Sequence, residues 1–207
     1  MNRIKTSWLA VAILILISNG GSLMAIEEAE YSLVEKSGDI ELRDYAASIV
    51  AEVQVEDDFA DAGNRAFRPL FKYISGDNET RAEISMTSPV SQQKSSEKIA
   101  MTAPVSQQAS GQGWVVSFMM PGSYTMSTIP KPTNPDVTIR EVPPFRAAVI
   151  RFSGRWTEKN YTEHLGKLNS WISENQLNVN GDPVWARYDP PFKPWFMRRN
   201  EIVIPVS

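Results

Sequence analysis

One histidine and no cysteine in 207 residues remove most of the usual catalytic repertoire. Without cysteine there is no disulfide, thiolate nucleophile or thiolate metal site. With a single imidazole, a multi-histidine metal centre is excluded, and Ser-His-Asp chemistry would have to run through His164 alone. His164 follows Tyr161 by three residues and precedes Leu168 by four, a spacing that suits a packing residue on a helix. A second group with chemical potential is basic. Arg187, Lys193, Arg198 and Arg199 stand close in sequence to Asp189 and Glu201. They could grip a carboxylate in fork geometry or pair with those two acids on the surface. Glu201 has no second acid or base at a spacing that would make a catalytic pair. There is no glycine-rich phosphate loop and no dense run of acidic metal ligands. Lys and Arg number 21 against 24 Asp and Glu, a net charge of −3, so no basic footprint points to nucleic acid.

Something must position these residues, and the chain shows its organisation through two repeats. With 42% hydrophobic residues, including six Trp, it can close one sizeable core but not two generous ones. The short repeat runs from Ile84 to Gln93 (Ile-Ser-Met-Thr-Ser-Pro-Val-Ser-Gln-Gln) and returns from Ile99 to Gln108 (Ile-Ala-Met-Thr-Ala-Pro-Val-Ser-Gln-Gln). Its alternation predicts two neighbouring strands, each ended or edged by proline, which cannot donate to a ladder. The long repeat matches Ile40–Tyr45 to Val137–Val142, 97 positions on. Each copy leads into a second β-rich run, Ser48 to Val55 and Phe145 to Ser153, and then into a helical stretch. The first stretch places Phe59, Ala62, Ala66, Phe67, Leu70, Phe71 and Ile74 at three- and four-residue steps, with Asp57 or Asp58 to cap it. The second uses Tyr161, His164, Leu165, Leu168, Trp171 and Ile172, with Thr157 as cap. Later strands are predicted at Trp114 to Met120, Val184 to Tyr188 and Glu201 to Val206, and Pro121 to Pro135 reads as the connection between halves. The fold class is therefore α+β: duplicated β-β-α-β halves whose sheets join, with one helix laid on each.

The first residues read as an address. Arg3 and Lys5 precede an apolar run from Trp8 to Ile17, followed by small and polar residues to Ser22. That pattern predicts a secretory signal peptide over residues 1–25, cleaved after Ser22 or Ala25, and a single domain over residues 26–207. The run is shorter than the ~20 residues a membrane-spanning helix needs, so no stable membrane insertion is expected after its removal. The protein is expected to be exported, and periplasmic in a bacterial host.

At the Ile-x-Met-Thr-[Ser/Ala]-Pro-Val strands, the Phe118-Met119-Met120-Pro121 segment and the ending Tyr188-Asp189-Pro190-Pro191-Phe192-Lys193-Pro194…Arg198-Arg199-Asn200-Glu201, the chain resembles the SOUL haem-binding protein family, in order from about Tyr31 to Val206. The resemblance implies a distorted antiparallel β-barrel flanked by two helices and non-covalent binding of haem or a related porphyrin. It also implies a groove along the first helix and beneath the loop before the final strand. Matched through the helix ending Lys72-Tyr73, Phe67 and Phe71 fall at apolar groove positions, Lys72 at a propionate-facing position, and Lys193 at a second basic position. Asp44 stands where some members carry a histidine before tyrosine, which leaves the axial ligand open, with His164, Tyr73 and the methionines as the remaining candidates. More distant relatives bind other small molecules or hydrolyse them. A module for another hydrophobic or amphipathic ligand, or a small-molecule hydrolase, are thus the alternative readings.

Overall fold

The computed structural model describes residues 26–80, 95–111 and 113–207. The predicted leader, residues 1–25, and the first short repeat, Ile84 to Gln93, lie outside the described residues. The main elements are β1 (Tyr31–Ser37), β2 (Ile40–Tyr45), β3 (Ser48–Val55), α1 (Phe59–Ile74), β4 (Val105–Ser110), β5 (Gly113–Met119), β6 (Thr138–Val142), β7 (Phe145–Phe152), α2 (Glu158–Glu174), β8 (Val184–Arg187) and β9 (Asn200–Pro205). The nine strands form one antiparallel sheet in the order β6-β3-β5-β4-β8-β9-β7-β2-β1, curled into a half-barrel. A single turn of 3-10 helix, Trp195–Met197, precedes β9.

The duplication is visible in the strand order. The strand order is symmetric about the β4–β8 pair, so a pseudo-twofold axis passes between these two strands. Each half is β-β-α-β-β, and its first strand leaves to pair with the other half: β2 with β7, and β6 with β3. Tyr45 lies opposite Phe145, and Val142 lies opposite Ser48. Those pairs are the same pair moved by the 97-residue offset of the long repeat, so the two crossovers share one register.

α1 rests on β3 and β5, and α2 on β7 and β9. Ala62, Ala66, Leu70 and Tyr73 form the buried face of α1 against Ala51, Val53 and Val116. The two alanines let the helix axis sit close to the sheet, which narrows the buried stripe relative to the sequence expectation. Phe67 and Phe71, each one residue beyond a buried position and so turned about 100° away, lie at the edge of the interface and are partly exposed. Beneath α2, Leu168 and Ile172 pack on Ile150, Phe152, Ile202 and Ile204. Thr157 caps α2 by accepting the Asn160 N–H, whereas Asp58 flanks α1 without a side-chain cap.

The second short repeat departs from its expected form. Ile99, Ala100 and Met101 are not strand: the Ile99 N–H bonds the Ile74 carbonyl at 2.8 Å and Ile99 joins the core beneath α1. The ladder starts instead after Pro104, at Val105, because the residues before it are committed to the helix end and to a short parallel pairing of Thr102–Ala103 with Glu27–Glu28.

Candidate functional site

Two faces of the sheet need separate description. On the helix side, β4 and β8 floor the space between the helices, with Val105, Gln107, Trp185 and Arg187 pointing toward them by the strand alternation. The wall is α1. Phe67 is 40% and Phe71 44% exposed, and their rings stack 5.7 Å apart at 13°, with Phe67 also edge-on to Phe118 at 5.4 Å. Single exposed apolar residues are ordinary, but a stacked pair on one helix flank is a flat apolar platform. Lys72, beside Phe71, is exposed.

Toward the N-terminal half of α1 the wall turns cationic. Gly63 is one helical turn before Phe67, and the Arg187 guanidinium lies against it: a β-carbon on Gly63 would collide with both terminal nitrogens. Arg187 donates from Nη2 to Gln107 Oε1 at 2.9 Å, while Gln107 Nε2 donates to the Phe59 carbonyl at 2.9 Å. Its Nε is buried without a hydrogen-bond partner, as is Trp185 Nε1. Burial pushes its pKa down, to about 10. Trp185 and Trp156 flank the guanidinium at 4.9 and 5.4 Å, and Trp156 also carries Arg198 at 4.4 Å. Arg198 donates to the carbonyls of Lys193 and Pro191, which ties the loop Asp189 to Arg199 to this flank. On that loop Lys193 pairs with Asp189 at 2.6 Å, and Phe192, Trp195 and Phe196 stand exposed.

The concave face is different. It holds a cleft of about 1080 Å³, lined among others by Ser106, Ala186, Tyr45, Phe145, Tyr188 and Met119. Its lining includes Glu27, Glu28, Glu30 and Glu141. Arg140 is the one basic lining residue among the described residues, and it is already forked onto Glu52. Below the cleft, Glu201 is wholly buried. It accepts from Arg43 at 2.8 and 3.2 Å, from Arg199 Nε at 3.0 Å and from the Tyr188 hydroxyl at 2.9 Å. Burial, followed by the Glu201 charge, drives the Tyr188 hydroxyl pKa upward, and burial lifts Tyr45 to about 12. A carboxylate with that many donors on its two oxygens has little capacity left as a base or a cation trap.

A family profile described as SOUL heme-binding protein matches residues 26–205. The chain belongs to this family. Heme-binding protein 1 of Mus musculus is 30% identical over 154 residues, 73% of this chain and 76% of the mouse protein. That of Xenopus tropicalis is 28% identical over 185 residues, 86% and 90% of the two chains. Among solved structures, the EcmrR C-terminal domain superposes with a TM-score of 0.57 at 12% identity, covering 86% of this chain and 98% of its own. A hydrolase from Listeria innocua gives 0.54 at 10%, covering 84% and 94%. At these identities the two structures share the fold with this SOUL chain and nothing more is carried over.

The four residues singled out from the SOUL resemblance fall on the helix side. Phe67 and Phe71 are brought together; Lys72 is on the same helix, and Lys193 is on the loop linked to it through Arg198, Trp156 and Arg187. Two of the candidate iron ligands are otherwise engaged. His164 stacks on Phe152 at 4.0 Å and its Nδ1 bonds the Asn160 carbonyl at 2.8 Å. Tyr73 is buried and donates its hydroxyl to the Pro130 carbonyl at 2.8 Å. Asp44 forms a forked pair with Arg146 at 2.7 and 2.9 Å. Sequence reasoning placed Arg187 in a general basic cluster but missed its contact with α1. The signal was the glycine at position 63, whose partner is 124 positions away in sequence.

Proposed function

We propose that this SOUL-family chain is an exported, non-enzymatic haem-binding protein, holding the porphyrin non-covalently in an apolar groove along the flank of α1 that carries Phe67 and Phe71, for haem buffering, transport or delivery. The observation that carries the reading is the exposed, stacked Phe67–Phe71 pair set among cations. Haem is a flat apolar plate with two carboxylates at one edge. Micromolar affinity needs about −8 kcal/mol. Exposed lysine–propionate pairs supply at most ~1 kcal/mol each, so burial of the macrocycle, at ~25 cal/mol per Å², has to supply most of the rest. The helix flank offers both parts, with Lys72 and Lys193 on the rim. The concave cleft, with its acidic lining, is electrostatically the poorer place for a dianion. Export rests on the residue pattern of the first 25 positions.

Titration of the purified protein with haem is expected to shift the Soret band and saturate near one equivalent. Phe67→Asp with Phe71→Asp should abolish the shift, and because Phe67 also meets Phe118 a modest fall in Tm is expected while near-ultraviolet circular dichroism stays native. Absorbance that tracks only haem aggregation would overturn the reading. The cleft favours a second reading, a module for another hydrophobic or amphipathic molecule. Ser106→Trp, which puts an indole into the cleft from the sheet face away from α1, separates them: haem binding survives under the first reading and is lost if the cleft holds the porphyrin.

A further inference from the structure

Of the basic residues that the sequence gathers before β9, two have carboxylate partners. Lys193 is on Asp189, and Arg199 is on Glu201 and Glu28. Arg198 is satisfied by backbone carbonyls. Arg187 differs from all three. It is a largely buried cation with no carboxylate partner among the described residues, a single hydrogen bond to a neutral amide, and an Nε with none. A buried charge left in that condition is costly, and in native proteins such groups are paired or serve a ligand. The surroundings hold it in place rather than neutralise it: Gln107 fixes one nitrogen, the Trp156 and Trp185 rings lie within 5.4 and 4.9 Å, and Gly63 makes room for the tip.

We infer that Arg187 is the fork that receives a carboxylate of the bound ligand, so that the acidic edge of the macrocycle lies over the N-terminal half of α1. The inference rests on the proposed haem reading and adds an orientation and a selectivity to it. Gly63, Phe67 and Phe71 are spaced by four residues along one helix face, so the point where the guanidinium meets α1 is about 6 Å along the axis from the Phe67 backbone. A plate lying on the two rings thus brings one edge to Arg187. A guanidinium matches a carboxylate with two parallel hydrogen bonds, and a site that excludes water strengthens them. The desolvation that lowers the Arg187 pKa is relieved when an anion arrives.

The test compares haem with haem dimethyl ester, which keeps the ring and lacks both carboxylates, on wild type, Arg187→Met and Gly63→Ala. Wild type should bind haem about tenfold or more tighter than the ester. Arg187→Met should lose that margin for haem, keep the ester affinity, and hold or raise Tm, because it removes an unpaired buried charge. Gly63→Ala keeps the arginine but displaces its tip, and should lose haem affinity in the same direction, so the result does not hang on one variant folding. Equal binding of haem and ester by wild type, unchanged haem affinity in both variants, or a parallel loss of haem and ester would each overturn the role of Arg187 and leave haem binding standing. No saturable binding of either compound by wild type would remove the haem reading itself.

Discussion

Replacing Glu201 with glutamine keeps its size but removes the charge that holds Arg43 and Arg199. The central pair is buried, and the substitution leaves Arg43 with Glu41 alone and Arg199 with Glu28 alone, so it should cost about 1–3 kcal/mol, read from the denaturant midpoint. The exposed Lys167–Glu163 pair is the contrast: Lys167→Gln should shift stability by less than ~0.5 kcal/mol. Of the carboxylates held below their ordinary value, two that are partly buried illustrate the acid response. For Asp189, burial alone would raise the pKa, but the Arg199 N–H and the Lys193 ammonium outweigh it and hold it below 3.8. For Glu41, burial is likewise outweighed by Lys36 and Arg43. A depressed carboxylate stabilises the fold above its unfolded pKa and loses that contribution as pH falls through the folded value. Thermal melts should therefore be nearly level from pH 7 to about 5 and fall below about pH 4, with Asp189→Asn flattening part of that fall. At this scale the sequence shows which residues are chemically capable but not which are occupied. Arg187 and Arg199 look alike as letters, and only the fold gives one two carboxylates and the other a glutamine.

Among the elements, the helix starts make a paired prediction. Thr157→Ala should cost about 1 kcal/mol, because its side chain accepts the Asn160 N–H, whereas Asp58→Ala should change little, since no side-chain bond is made there. Comparing Tm for the two variants checks both. Strands with alternating β-branched residues were legible: Ser48 to Val55 is read from sequence with the bounds that β3 has. The α1 stripe was legible in phase but not in width. Seven apolar residues at helical steps do not reveal that Ala62, Ala66, Leu70 and Tyr73 carry the contact and leave Phe67 and Phe71 at its edge. β4 was misplaced because its apolar end, Ile99 to Met101, looks more strand-like than Val105 to Ser110. Which of the two joins the ladder depends on the carbonyl of Ile74, a contact that no local pattern encodes.

For the molecule as a whole, the two faces of the sheet predict opposite electrostatic behaviour. With haem on the helix flank, as proposed, binding should weaken as salt rises from 50 mM to 500 mM, a trend that surface-plasmon or absorbance titration would measure. The duplication was legible from Ile40–Tyr45 and Val137–Val142 alone, and the register between halves follows the same offset. The exchange of first strands was not, because nothing in a strand's own residues names its partner across the chain. A fragment ending before Val137 should therefore lack fixed tertiary structure as a monomer, seen as lost near-ultraviolet circular dichroism: β3 loses β6 and β2 loses β7. The same crossing has a historical reading in physical terms. A polypeptide one repeat long could complete its ladder only by trading its leading segment with a twin, which makes assembly depend on concentration. Tethering the twins end to end replaces that collision with an encounter inside one molecule, at an effective concentration set by the linker, and frees each copy to drift toward its own side chains.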